Sequence, residues 1–256
     1  MKNKLLILIS ILFIYAAQSH AFSVNIDPPS IYTKGEQGER VISKITIENT
    51  SNEAIKVKVY PQDWLYRDDN SKQFLELGKT PYSLNKSLTL YAQEIVLTPN
   101  ERQEVLFEIK TSETQKGGLY GVIFFETSPV LKNASSSVQL IGRIGSIIYH
   151  EIQDTQVYQF DVILQKTDST KQASKLYLNL INQSNVHLNL KGSLLILTQQ
   201  KQIIDRIPIE NFKALPNEKR TIVLTTKSLP KGITGLLTLT YEGQDLPYTK
   251  IIEINN

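Results

Sequence analysis

The chain has 256 residues and a formal net charge of +3, with 28 lysines and arginines against 25 acidic residues. A balance this close to neutral does not fit a nucleic-acid-binding surface. The absence of cysteine excludes disulfides, thiolate metal sites and lipid attachment through a thiol.

Residues 1–21 have the pattern of a cleavable signal peptide. Two lysines precede an apolar run over residues 5–17, and a small-x-small cleavage site ends at Ala21. The run is shorter than the roughly 20 residues that a membrane-spanning helix needs, and no later stretch is longer and equally apolar. We therefore expect an exported, soluble mature protein that starts at Phe22 and has no membrane span.

Strand patterns follow through the rest of the chain, with short apolar–polar alternations broken about every 8 to 12 positions by turn residues. Strands are predicted at 41–48, 55–60, 88–97, 105–110, 119–125 and 138–149, and near 157–165, 175–182, 186–197, 202–208, 219–226, 233–241 and 247–254. The run 119–125 is apolar almost throughout, which indicates a strand buried on both faces. Residues 71–87 are polar and are predicted to be an excursion between strands.

Three sequence landmarks recur in the same order in the second half. They are ITIENTSN (45–52) and LNLINQSN (178–185), Pro-Asn-Glu plus a basic residue at 99–102 and 216–219, and Lys-Gly at 116–117 and 231–232. Such recurrence indicates the duplication of a whole domain. With about seven short strands per hundred residues, the pattern predicts an all-β protein of two tandem immunoglobulin-like β-sandwiches, at 22–150 and 151–256.

No convergent catalytic or metal-binding set is visible in the sequence. His150 and His187 fall in different predicted domains, and no group of residues has metal-ligand spacing. A carboxylate pair for glycoside hydrolysis stays open, although no pair stands out. We therefore expect a binding protein that is not an enzyme and that uses no metal or cofactor.

Trp64, the only tryptophan, has two interpretations. With the nearby tyrosines it forms an exposed aromatic site for sugar or peptide, or it fills the end of the first sandwich. The first interpretation suits an envelope scaffold or adhesion protein that binds peptidoglycan or another surface protein.

The long strand at 138–149 is the other candidate site. Val138, Leu140 and Ile144 point to one side, while Ile141 and Arg143 point to the other. An exposed strand edge is able to add a strand from another chain. The alternative is an ordinary last strand, paired on both sides.

Several segments resemble the periplasmic pilus chaperones, a family with two immunoglobulin-like domains. They are SVNIDPPSIYT (23–33), ITIENTSNEAIKVKVYPQDW (45–64), IVLTPNERQEVLFEI (95–109) and SIIY (146–149), so the resemblance mainly covers residues 23–149. It implies a periplasmic protein that binds pilin-like exported subunits and works with an outer-membrane usher. It also implies that Val138, Leu140 and Ile144 form the strand donated to the subunit.

In that family an Arg-Lys pair in the interdomain cleft holds the terminal carboxylate of the subunit. The matching positions here are Ser30 and Gly145 or Ser146, so the pair is absent. Arg143 is the nearby cation and is the candidate anchor.

The first domain is also similar to two-domain wall-associated surface proteins of Gram-positive bacteria. The segments that carry this similarity are residues 77–109 and GGLYGVIFFE (117–126). Those proteins end in a membrane helix, which this sequence does not show, and the difference favours the periplasmic interpretation.

Overall fold

The computed structural model describes residues 23–130, 141–242 and 245–254, which form strands and loops without a helix. Within these ranges there is accordingly no helix that could cross a membrane. The predicted signal peptide lies outside the described residues, as do Val138 and Leu140 of the predicted donor strand.

The first half of the chain folds into two packed sheets. Its strands are β1 (Val24–Asp27), β2 (Ser30–Gly35), β3 (Arg40–Asn49), β4 (Ile55–Tyr66), β5 (Lys72–Leu75), β6 (Leu88–Leu90), β7 (Glu94–Leu97), β8 (Arg102–Lys110), β9 (Gly118–Pro129) and β10 (Gly142–Ile152). One sheet has the order β1-β3-β8-β6 and the other β2-β10-β9-β4-β5, with β7 paired to β4. Their facing side chains, such as Ile45, Val105 and Ile123, form a buried core.

The second half repeats this arrangement. Its strands are β11 (Phe160–Ser169), β12 (Ala173–Asn182), β13 (Leu188–Leu197), β14 (Ile203–Ala214), β15 (Lys219–Lys227), β16 (Ile233–Thr240) and β17 (Tyr248–Ile254). The sheets β11-β12-β15 and β14-β13-β16-β17 enclose a second core that includes Leu178, Leu194 and Leu237. The predicted all-β architecture of tandem sandwiches is confirmed. The boundary at residue 150 stays a prediction, and β10 continues past it to Ile152.

Strand β9 is buried on both faces, as its composition predicts. Leu119, Ile123 and Phe125 pack into the first core, whereas Tyr120 and Phe124 belong to a separate cluster on the opposite face. The predicted excursion at 71–87 differs from the structure, because it contains β5, which pairs with the end of β4. This strand is only four residues long and lacks a clear alternation, so its pattern gave no signal.

A buried asparagine holds a corner of the first sandwich. The Asn49 side-chain amide donates to the carbonyl oxygens of Glu53, Leu97 and Thr98, at 2.8, 3.2 and 3.1 Å. Its Oδ1 accepts from the backbone N–H of Ser51 at 3.0 Å. Glu53 and Thr98 lie in loops and Leu97 ends β7, so the buried amide gives these carbonyls a donor in place of water.

The second sandwich has the same corner. The Asn182 amide donates to the carbonyls of Val186, Ala214 and Leu215, at 3.1, 3.1 and 2.9 Å, and its Oδ1 accepts from Ser184 N–H at 2.9 Å. Asn49 and Asn182 occupy equal places in ITIENTSN and LNLINQSN. The first repeated landmark is therefore a structural corner present in both halves.

The other two landmarks also match in backbone geometry. Asn100 and Asn217 have φ values of 62° and 61°, and Gly117 and Gly232 have φ values of 79° and 69°. Left-handed φ values are uncommon outside glycine, with asparagine among the residues that adopt them most often. The turns at these two landmarks therefore have the same backbone conformation in both halves, while the duplication itself stays a prediction.

Candidate functional site: the face of β10 and the cleft

Strand β10 presents alternate side chains to two environments. Ile148 and His150 point into the first sandwich, where both are fully buried. Tyr149 and Glu151 point the other way, beside Tyr32 and Lys34 of the parallel strand β2. This second face borders the cleft between the two sandwiches.

An aromatic cluster fills much of this cleft. It consists of Trp64, Tyr82, Tyr120, Val122, Phe124, Tyr149 and Leu215, and Leu215 comes from the second sandwich. The Trp64 ring is fully buried there and meets Tyr149 edge-on, with ring centroids 5.9 Å apart. Of the two interpretations of Trp64, the exposed aromatic site is wrong, because the fully buried ring leaves no surface for a sugar or peptide; the ring is buried as the other interpretation has it, although its cluster includes Leu215 of the second sandwich.

Polar contacts join the sandwiches around this cluster. The Tyr120 hydroxyl accepts a hydrogen bond from the backbone N–H of His187 at 2.7 Å. The Glu218 carboxylate accepts from the backbone N–H of Tyr66 at 2.9 Å. The Arg220 guanidinium lies 3.5 Å from the centre of the Tyr66 ring, a cation–π contact. Directional contacts of this kind fix how the two sandwiches meet.

The structure places the predicted site residues at one end of β10. Ile144 is half-buried at the margin of the first core, and Arg143 is exposed with its guanidinium 4.3 Å from the centre of the Phe124 ring. Ser146 donates to the carbonyl of Pro28 at 2.7 Å. Ser146, one of the positions at which the family's basic pair is absent, thus makes a neutral contact with the turn between β1 and β2.

The open edge of β10 is defined by where its neighbours end. β9 pairs with β10 from Gly142 to Glu151, whereas β2 pairs only with Ile147 to Ile152. Among the described strands, residues 142–146 therefore have a partner on one side only. Backbone N–H and C=O groups that face the other side are available to a further strand.

A pocket in the cleft brings together side chains that the sequence did not single out. Its volume is about 330 Å³, and its lining includes Tyr32, Lys34, Glu151, His187, Asn189 and Glu242. Four separate segments contribute to it, namely β2, β10, the start of β13 and the turn after β16, so no spacing in the sequence marks it. No group of three or more potential metal-ligating side chains occurs in the described part of the chain.

Both described histidines are buried as neutral side chains. Burial lowers the pKa of His150 to about 4, a shift that Glu39 partly opposes, and burial together with Lys213 and Lys34 lowers the pKa of His187 to about 4. His150 Nδ1 lies 2.9 Å from the Thr33 hydroxyl, and its Nε2 has no hydrogen-bond partner. Protonation would place a charge in this apolar setting.

The folded protein is expected to lose stability as the pH falls from about 6.5, the ordinary pKa of histidine, towards about 4. In this window the unfolded chain binds more protons than the folded one, so stability rises with pH. His150→Gln removes one such group and is expected to reduce the slope by up to about 1.4 kcal/mol per pH unit. Urea unfolding at several pH values measures the slope, and identical slopes for variant and parent would contradict the assignment.

Comparison with solved structures identifies the fold. The class 5 fimbriae chaperone CfaA superimposes with a TM-score of 0.55 at 13% identity, covering 91% of this chain and 100% of the chaperone chain. A chain from a chaperone–tip adhesin complex of CFA/I fimbriae biogenesis gives 0.54 at 12% identity, with 91% and 100% covered. No protein-family model and no curated protein matches the sequence. The chain therefore has the two-domain immunoglobulin-like fold of the fimbrial chaperones, at an identity that shows the fold alone.

Proposed function

We propose that this protein is a periplasmic, non-enzymatic chaperone that binds exported fibre subunits by β-strand addition to β10. The observation that carries the proposal is the edge of residues 142–146, which β2 leaves unpaired among the described strands. A strand added there would continue the sheet by main-chain hydrogen bonds, and alternate side chains would provide specificity.

Side chains along this edge suit such a partner. Ile144 is half-buried at the end of the first core and offers its remaining apolar surface to a subunit with an incomplete core. Val138 and Leu140 have the same parity in the sequence and extend the proposed donor strand. Removing apolar surface of both partners from water would then drive association.

Arg143 is the proposed anchor for a carboxylate of the subunit. Its side chain is exposed on the face opposite Ile144, next to the open edge. An exposed guanidinium pairs with a carboxylate through two parallel hydrogen bonds. This anchor would replace the basic pair that Ser30 and Ser146 do not provide.

The fold supports the same class of partner. One of the superimposed chains comes from a complex of a chaperone with a tip adhesin. By analogy, the partners proposed here are pilin-like subunits and an outer-membrane usher, reached after export by the predicted signal peptide. The identity of the partners is inferred from the similarity of the fold, whereas the open edge is inferred from the strand pairing in this protein.

Site-specific photo-crosslinking tests the proposal. A photoreactive amino acid is placed at Ile141, beside the open edge, or at Ile251, an exposed strand position in the second sandwich. In cells that make the protein, the first position is expected to capture a small β-rich exported subunit and the second to capture none. Equal capture at both positions, or capture at Ile251 alone, would contradict strand addition at β10.

A further inference from the structure

The cleft pocket is rich in hydrogen-bond acceptors. Asn189 Oδ1 is buried and has no hydrogen-bond partner. His187 has a side chain only 5% exposed, and its Nδ1 lies 3.4 Å from Glu151 Oε1, where it is suited to donate to that carboxylate. A buried acceptor without a partner is costly, so Asn189 Oδ1 on a pocket wall points to a ligand that supplies a donor.

Two carboxylates reinforce this preference for donors. Burial raises the pKa of Glu151, Lys34 lowers it, and the charge of Glu242 raises it further. Both carboxylates line the same pocket, so their like charges repel one another there. A cation between them would relieve this repulsion.

Lys34 does not already fill that role. Its Nζ is 3.6 Å from Glu151 Oε2, and its side chain is 55% exposed. Charge-assisted hydrogen bonds of this type are about 2.7 to 2.9 Å long. Lys34 thus lies at the rim of the pocket, where it forms a long ion pair with Glu151. It competes for that carboxylate with any cation that enters the pocket.

One wall of the pocket is an aromatic pair. Tyr32 and Tyr149 stack in parallel, with ring centroids 4.7 Å apart and an interplanar angle of 4°. Lys213 Nζ lies 5.2 Å from the centre of each ring, so this pair already attracts a cation. Tyr32 as a residue remains 54% exposed, which leaves room beside its ring for a planar cation in addition to the Lys213 ammonium.

We propose that this pocket binds a guanidinium group, with Glu151 and Glu242 as its charge partners, Asn189 Oδ1 as a hydrogen-bond acceptor and Tyr32 as a stacking surface. Guanidinium fits better than ammonium because it is planar, presents a fork of donors and stacks on aromatic rings. The group comes from an arginine of a protein partner or from a small free guanidine. Strand addition at β10 is a separate proposal, since residues 142–146 do not line the pocket.

Ligand titration of the purified protein tests this assignment. The probes are an arginine tripeptide blocked at both ends, the same peptide with citrulline, agmatine as a free guanidine, and acetate. Tyrosine and histidine NMR signals report occupancy. Saturable binding of the arginine peptide, at least about tenfold tighter than the citrulline peptide, is expected because citrulline has nearly the same shape and no charge. Tighter binding of the peptide than of agmatine assigns the source to a protein partner, and the reverse assigns it to a small molecule.

Two variants give opposite expected shifts. Glu242→Gln, at an exposed position, is expected to weaken binding of the arginine peptide by about tenfold. Lys34→Met removes the competing cation and is expected to strengthen it severalfold. No saturable binding of either guanidine, equal affinity for citrulline, or preferential binding of acetate that Lys34→Met abolishes would overturn the proposal. Subunit capture at β10 is measured separately, so failure here leaves that result unchanged.

Discussion

Replacing Ile144 with lysine is expected to abolish retention of the exported subunit by this protein, with at least a thirtyfold loss of affinity. Ile144 is the described apolar side chain on the proposed donor face of β10. A lysine there would carry a charge into the core that the partner completes, and central apolar anchors contribute about 2 kcal/mol or more to an interface. Tagged protein from periplasmic extracts, analysed by mass spectrometry for a stoichiometric β-rich subunit, measures the loss.

The matched control is Ile251→Lys, the same chemical change on an exposed strand of the second sandwich. Retention by this variant is expected to equal that of the parent. Thermal unfolding of both variants separates loss of binding from loss of folding, because Ile144 also touches the first core. Full retention of the subunit by folded Ile144→Lys protein would rule out strand donation at this position.

Truncating the corner asparagines is expected to cause the largest losses of stability, about 3 to 5 kcal/mol for Asn49→Ala and a similar amount for Asn182→Ala. Each side chain is fully buried and serves three carbonyl oxygens through its amide. Alanine leaves those carbonyls without a donor and without access to water. Chemical denaturation of each variant measures the change in the free energy of unfolding.

Asn25→Ala in β1 is the control, because that asparagine is exposed. It is expected to change stability by less than about 0.5 kcal/mol. The two corner variants are also expected to resemble each other, since the hydrogen bonds of the two side-chain amides to backbone carbonyls correspond. A loss under about 1 kcal/mol at both corners would mean that water replaces the amides.

The fold was predictable because its signals are local. Alternating residues mark most strands, the apolar run 119–125 marks the central strand of the first sandwich, and paired landmarks mark the duplicated turns. Each of these depends on residues near one another in the chain. The short strand β5 was not predicted, because four residues are too few to show a periodic pattern.

The cleft was not predictable for the opposite reason. His187 Nδ1 lies 3.4 Å from Glu151 Oε1 although the two residues belong to different sandwiches. No spacing in the sequence predicts this contact. The sequence left Trp64 either in an exposed aromatic site or at the end of the first sandwich, and its burial in the joint was not predictable because it depends on the second sandwich. The alternation of residues along 138–144 did predict a strand with two different faces. The structure describes the last part of that segment, where Arg143 and Ile144 lie on opposite faces.

Glu218 shows how the two copies of one turn have diverged. In the first sandwich, Glu101 accepts a hydrogen bond from Thr98 N–H at 2.8 Å and closes its own turn. Its counterpart Glu218 does the same for Leu215 at 2.8 Å, and it also accepts from Tyr66 across the joint. One carboxylate thus serves its own turn alone, while the other serves its turn and the joint. Losing the Glu101 carboxylate would open one local turn, whereas losing the Glu218 carboxylate would also remove a contact that fixes the second sandwich against the first.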